Sequence, residues 1–189
     1  MRRQMQTELK KLNKQLKRTF IYITHDQDEA LNMSDRIAIM NAGRFEQVGT
    51  PDQVYEHPES LFAAQFIGDT NVLHGVMDTY RPDGPSTLCI DGVAVLAMSP
   101  RPFAKGEEVQ ISLRSERVRY GCHSERDFCM RAKVVEHSYV GGTRRTELAL
   151  ASGQMIECKG FRPSEFYDVG EEVCVYWNPS HVQVIASPL

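Results

Sequence analysis

Met5, Leu9, Leu12 and Leu16 recur at steps of four, three and four, which lines one helical face with apolar residues and leaves lysines and arginines opposite. A helix is expected over the opening residues. Phe20 to Thr24, FIYIT, is a continuous aromatic and β-branched run, the pattern of a strand covered on both faces in a parallel sheet. Asp26 and Glu29 then stand three apart, as a capping box does at the start of a helix, here running through about Met33. RIAIM and RFEQVG, joined through Asn41-Ala42-Gly43, read as two short strands around a glycine turn. Thr50-Pro51 opens a further helix that carries Val54 and Tyr55 and ends before Pro58. SLFAAQFIG reads as a last short helix, burying Leu61, Phe62, Phe66 and Ile67 and stopping at Gly68.

From about Val72 the pattern changes to short alternating runs. They are Val109, Ile111, Leu113; Met130, Ala132, Val134; Glu147 to Leu150; Val173, Val175, Trp177; and Val182, Val184. Glycines punctuate them, so a small β-barrel or sandwich is expected. The boundary falls near Gly68-Asp69-Thr70-Asn71, giving a first domain over 1–68 and a second over 69–189. One buried strand, a hairpin and a few helices do not make a complete α/β domain, because a parallel strand needs neighbours on both sides. The first domain is expected to find its sheet partners in a preceding segment or on another chain.

Charge narrows the function classes. Lys and Arg number 22 against 25 Asp and Glu, so the net charge of -3 provides no global attraction for nucleic acid or anionic lipid. Lys10, Lys11, Lys14, Lys17 and Arg18 crowd the start of the chain together with Arg2 and Arg3, opposed there by Glu8; a solvated helix face explains them. Trp177, Tyr139, Tyr176 and Phe161 could stack on bases, but no basic stripe accompanies them, and no nucleic-acid partner is expected. Cys89, Cys122, Cys129, Cys158 and Cys174 show no C-x-x-C pair and no zinc spacing, and are expected to be small, mostly buried apolar residues in a reducing compartment. No apolar stretch approaches the roughly 20 residues of a membrane span, and the start has no secretory core.

Three readings of His25 stand. After a strand and before a capped helix, an imidazole can donate to a phosphate oxygen or an attacking water. With Glu29 four residues on, plus Asp26 or Asp28, it could ligate a metal, although such a site wants at least three convergent ligands rich in nitrogen or sulfur. As a turn residue it needs no chemistry. A second candidate is the turn SYVGGTRRT, where Ser138, Thr143, Arg144 and Arg145 flank two glycines that let backbone donors approach an oxyanion; a solvated hairpin is the alternative.

Thr24-His25-Asp26-Gln27-Asp28-Glu29-Ala30-Leu31, then Met33-Ser34-Asp35-Arg36-Ile37, Gly43-Arg44, Gln47-Val48-Gly49-Thr50-Pro51 and Tyr55-Glu56-His57-Pro58, resemble in order and spacing the C-terminal end of the ATP-binding subunit of an ABC importer, in its polyamine, iron and sugar branch. Asn71 to Gly75, Ser112 to Glu116, Ser138 to Gly141, Ala151 to Gly153 and Val175 to Pro179 are similar to the OB-like TOBE domain that follows the ATPase domain in such subunits. Ser115 and Ser180 depart from residues common in the family, proline and glutamate. The resemblance implies a mixed fold: a partial α/β remnant of the ATPase domain over 1–68, with linker helices, and a mainly β, OB-like barrel over 69–189. It makes His25 the switch-loop histidine that contacts the γ-phosphate in the complete subunit.

The same resemblance implies ATP and magnesium in the complete subunit, membrane-spanning permease partners, a homodimer through the TOBE domain, and a place at the inner face of the cell membrane. No cofactor is expected in this chain by itself. It has no G-x-x-x-x-G-K-[ST] loop, so it is expected neither to bind ATP tightly nor to hydrolyse it. An oxyanion-binding module built on the barrel is the competing function.

Overall fold

The computed structural model describes residues 2–121, 128–160 and 167–185, so Cys122 and Phe161 lie outside the described residues. The chain divides into two compact units, Met1–Gly68 and Asp69–Leu189. The first unit contains α1 (Arg2–Leu16), α2 (Gln27–Met33), the strands β1 (Ile37–Asn41) and β2 (Arg44–Gly49), then α3 (Pro51–Glu56) and α4 (Leu61–Phe66). β1 and β2 pair antiparallel across a two-residue turn in which Ala42 and Gly43 both have positive φ, as the twist of a tight hairpin requires. α3 has a complete capping box. Thr50 Oγ1 accepts from Gln53 N while Gln53 Oε1 accepts from Thr50 N, with Pro51 at the first helical position.

The small core of this unit joins Ile37 and Ile39 of β1 to Val54, Ala63 and Ile67. Gln47 fixes the hairpin to the α3–α4 connection, its buried amide donating to His57 O at 2.9 Å and accepting from Glu59 N at 3.1 Å. Such pairing lets a polar side chain be buried without loss.

Two expectations for this unit are corrected. Residues 20–24 are not a strand: among the described residues of the unit, β1 and β2 pair only with each other, and Ile21 and Ile23 are 90% and 93% exposed. A strand needs a hydrogen-bonded neighbour, and none is supplied there. In α4 the buried positions are Ala63 and Ala64, followed by Ile67, whereas Phe66 stacks on Phe62 at 5.6 Å and stays exposed. The small alanines let the helix lie close to the hairpin, and Phe66 faces away.

In the second unit, β3 (Thr70–Thr79), β4 (Ser86–Ile90), β5 (Val93–Ala97), β6 (Glu108–Arg114) and β12 (Val182–Ile185) form one sheet in the order β12-β6-β3-β4-β5. Met98, just beyond β5, bridges β12 in parallel through Met98 N to Val182 O and Val184 N to Met98 O. That contact joins the two sheet edges and closes a five-stranded, OB-like barrel. β7 (Arg119–Gly121), β8 (Met130–Val140), β9 (Thr143–Leu150), β10 (Met155–Gly160) and β11 (Glu172–Tyr176) form the other sheet, in the order β10-β9-β8-β11-β7.

The two sheets repeat one design. In each, four successive strands take the same order, and the fifth strand crosses into the other sheet: β7 follows β6 but pairs with β11, and β12 follows β11 but pairs with β6. Gly106-Glu107-Glu108-Val109 and Gly170-Glu171-Glu172-Val173 open β6 and β11 identically. Glu107 accepts from Ala104 N at 2.8 Å and Glu171 from Asp168 N at 2.7 Å, and both glycines have positive φ. A short 3-10 turn follows each strand, at Ser115–Arg117 and Pro179–His181.

One continuous core spans both sheets, with Leu73, Leu88 and Ile111 from the first and Met130, Leu148, Ile156 and Val175 from the second. Trp177 links them, donating Nε1–H to Leu96 O at 3.1 Å and packing against Phe128. Side-chain amides also stand in for missing strand neighbours. Asn71 donates to Glu157 O and accepts from Glu157 N, at 2.8 and 2.6 Å, capping the edge of β10. Gln154 does the same for His74 on β3, accepting from its N–H at 2.7 Å and donating to its carbonyl at 3.3 Å. An exposed sheet edge is an aggregation hazard, and these amides cover two positions of it.

The cysteine expectation is also corrected. Cys129 and Cys174 form a disulfide, with Cα atoms 5.3 Å apart, because the antiparallel pairing of β8 with β11 brings together residues separated by 45 positions. Cys158 is buried and Cys89 exposed.

Candidate functional site

His25 lies at a turn built by its neighbours. Asp26 is the N-cap of α2, its Oδ1 accepting from Glu29 N at 3.0 Å, while its own N–H donates to Thr24 Oγ1 at 3.0 Å. The capping box is therefore only half made. The Glu29 side chain does not return to the cap backbone; it is 6% exposed and accepts from Tyr22 Oη at 2.7 Å, Thr24 Oγ1 at 2.8 Å and Gln6 Nε2 at 3.3 Å. Three neutral donors compensate a carboxylate that would be costly to bury alone.

Thr24 and Asp26 are thus committed on either side of His25, which projects from the turn as an exposed side chain without a hydrogen bond among the described residues. Glu29 and Asp26, which a metal site would need, are spent inside the turn. Among the described residues no group of three or more His, Cys, Asp and Glu could hold a metal.

The second candidate lies on the β8–β9 hairpin, whose turn is Gly141-Gly142, both with positive φ. Ser138 stands opposite Arg145 and Val140 opposite Thr143, so Ser138, Thr143 and Arg145 share one face. Arg144, opposite Tyr139, is on the other face and buried, in line with Thr146 and Leu148. The four residues do not converge. Arg145 is held by Glu157, 3.0 Å from Nε, and lies 3.5 Å from Asp69, which Lys159 contacts at 2.7 Å. The Lys159 hydrogen bond, together with the charges of Lys159, Arg145 and Arg114, outweighs partial burial and holds the Asp69 carboxyl below its usual value.

Sequence reasoning missed a polar cluster on the buried side of the same hairpin. Thr146 Oγ1 lies 3.0 Å from both His137 Nδ1 and Tyr120 Oη, and His137 Nε2 is 2.9 Å from Tyr167 O. A carbonyl only accepts, so Nε2 carries the proton, and in the neutral ring Nδ1 accepts from Thr146. Nothing in the spacing of Tyr120, His137 and Thr146 announced the cluster, since β7 reaches this sheet by crossing from the other one. Nearby, Cys158 donates to Val118 O at 3.1 Å, and burial pushes its thiol up to about 11. It is a packed, inert thiol.

Comparison with known proteins adds three findings. Residues 111–185 match the TOBE domain. The chain is 37% identical over 94% of its length to the spermidine/putrescine import ATP-binding protein PotA of Nitratidesulfovibrio vulgaris, and 38% identical over 94% to that of Hahella chejuensis. The protein of the same name in Rubrobacter xylanophilus is 37% identical over 98% of the chain. The match falls on the C-terminal part of these relatives, and the chain spans about half of their length. Among solved structures, the cytoplasmic molybdate-binding protein ModG, in a form with molybdate bound, superposes with a TM-score of 0.54 at 15% identity, over 62% of this chain and 96% of that one. At that identity the likeness is one of fold, and the fold is mainly β and OB-like.

Proposed function

From this match to the C-terminal part of import ATP-binding proteins, through a TOBE domain, we propose that the chain serves as the C-terminal, regulatory portion of the ATP-binding subunit of an ABC importer for polyamine-like substrates. The observation that carries the reading is one run of similarity covering 94% of the chain, long enough to take in the His25 turn and the strands of the second unit together. In this reading the barrel pairs with a second copy across a two-fold axis, and permease subunits hold the assembly at the inner face of the membrane. The chain itself is a regulatory and dimerising element without ATP hydrolysis.

ATP and magnesium belong to the complete subunit. Among the described residues His25 is the one that the resemblance assigns to the nucleotide, and one exposed imidazole on a turn does not hold a nucleotide. An exposed donor is nevertheless suited to meet a terminal phosphate presented by other residues, where phosphoryl transfer depends on positioning and charge stabilisation. The oxyanion-module alternative, with Ser138, Thr143, Arg144 and Arg145 as its ligands, is the weaker reading. Arg145 is already engaged by carboxylates and Arg144 faces the opposite way.

The test is a chimera in which this chain replaces the matching part of the Nitratidesulfovibrio vulgaris protein. It is expected to support ATP-dependent polyamine uptake, and His25→Ala is expected to lower its ATPase rate by about 10²-fold or more. A folded chimera with no uptake, or calorimetric titration showing saturable molybdate binding to the chain alone, would overturn the reading in favour of the module.

A further inference from the structure

The halves of the second unit share a strand plan but differ at one pair of positions. Gly106 N–H donates to Met77 O and Gly170 N–H to Val134 O, both at 2.8 Å, which aligns β3 and β6 with β8 and β11. Counted from these bonds, Val72 and Gln110 of the first sheet stand where Cys129 and Cys174 stand in the second. The two sheets also end differently. Met98 bridges β12 and closes the first, whereas β7 in the second pairs only with β11, and no corresponding bridge is found among the described residues.

The Cys129–Cys174 bond supplies a restraint at that place. Cys174 is paired with Arg131 of β8 on one side and with Gly121 of β7 on the other, so the bond ties β8 to the strand that carries β7. It lies outside the core, since Val173 and Val175 point into it and Cys174, between them, points away. Cys174 is 6% exposed and Cys129 is half-buried, so one sulfur can be reached from solvent.

We propose that Cys129 and Cys174 are a reversible modification site, a dithiol–disulfide pair that exchanges with a small thiol of the glutathione class and latches β11, and β7 with it, to β8. In reduction, an attacking thiolate bonds to the Cys129 sulfur, the S–S bond breaks, and Cys174 leaves as a thiolate that takes a proton. A second small thiol then attacks the mixed disulfide, freeing Cys129 and departing as the small disulfide. Two electrons and two protons have entered the protein, and two small thiols have become one disulfide. Oxidation by that disulfide runs the same steps backward.

A disulfide reachable at one sulfur is of the exchangeable kind. Arg131 is exposed on the face that carries both sulfurs, and a guanidinium there favours a thiolate. Opening the bond leaves the core and the β8–β11 ladder in place, just as Val72 and Gln110 fold in the first sheet without a crosslink. Two other described thiols do not compete. Burial holds Cys158 up at about 11, and Cys89 stands on β4 in the other sheet.

The test equilibrates the 189-residue chain in glutathione buffers of varied thiol-to-disulfide ratio, quenches by alkylation and maps the peptides by mass spectrometry. The linked Cys129–Cys174 peptide is expected to form and disappear reversibly without denaturant, while Cys158 stays reduced. Amide exchange in β11 and β7 should be about tenfold or more slower in the oxidised chain, with β6 and β12 unchanged. Cys129→Ser with Cys174→Ser should exchange like the reduced chain and ignore glutathione. If that variant does not fold, the two redox states of the unaltered chain make the same comparison. Failure of the linked peptide to form, pairing with Cys122 instead, or a bond that millimolar glutathione leaves intact in the folded chain overturns the site. Equal exchange of β11 and β7 in the two states, or a glutathione response that persists in the double variant, refutes the latch.

Discussion

Gly75 is a residue whose identity follows from packing. A Cβ there would come within 2.7 Å of Ile90 Cγ1 and 2.9 Å of the Cys89 carbonyl oxygen, so β3 and β4 approach only because no side chain intervenes. Gly75→Ala is expected to destabilise the second unit by about 1–3 kcal/mol, read from the urea midpoint at constant slope. His25 is the opposite kind of residue, since its local structure asks nothing of it. Its histidine identity was readable as a candidate because it stands where an apolar run stops and a cap begins. Its exposure was not, because that depends on where Glu29 goes.

At the scale of elements, α1, residues 20–24 and α2 are tied together by a single carboxylate. Glu29 accepts hydrogen bonds from Gln6, Tyr22 and Thr24. Glu29→Ala should lower the opening free energy of α1 and α2 by about 1.5–3 kcal/mol, seen in native-state hydrogen exchange, with the second unit unchanged. The helices and the hairpin were legible from period, caps and the Asn41-Ala42-Gly43 turn. The strand expected at FIYIT was the right reading of its composition, but strandness is a property of a pair. The half-made capping box at α2 has the same origin: Asp26 with Glu29 matches the local pattern, yet the carboxylate gains more from three side-chain donors than from one backbone N–H.

Across the second unit, ion pairs join Asp69, its first residue, to Arg145 and Lys159, 76 and 90 positions on, with Glu157 holding Arg145. Because the Asp69 carboxyl is held below its usual 3.8, its contribution is present above that pH and is lost as pH falls through the folded value. Asp69→Asn should flatten the acid limb of stability below about pH 4 and cost under about 1 kcal/mol at neutral pH, since the pair is partly exposed; urea midpoints against pH measure both. The repeated Gly-Glu-Glu-Val was in the sequence as a signal of two related halves, and the paired Ala104/Glu107 and Asp168/Glu171 contacts give it meaning.

Local patterns alone determined the helix periods, the caps at Asp26 and Thr50, the glycine turns and the change near Gly68 from helical to alternating residues. Each depends on side chains within a few positions of one another. Only the tertiary structure decided that β7 and β12 exchange sheets, that Cys129 meets Cys174, that Arg144 and Arg145 part company, and that Ile21 and Ile23 are left uncovered. Those outcomes depend on which distant strand supplies a hydrogen-bonding edge or an apolar face, and chain position does not encode that neighbour directly.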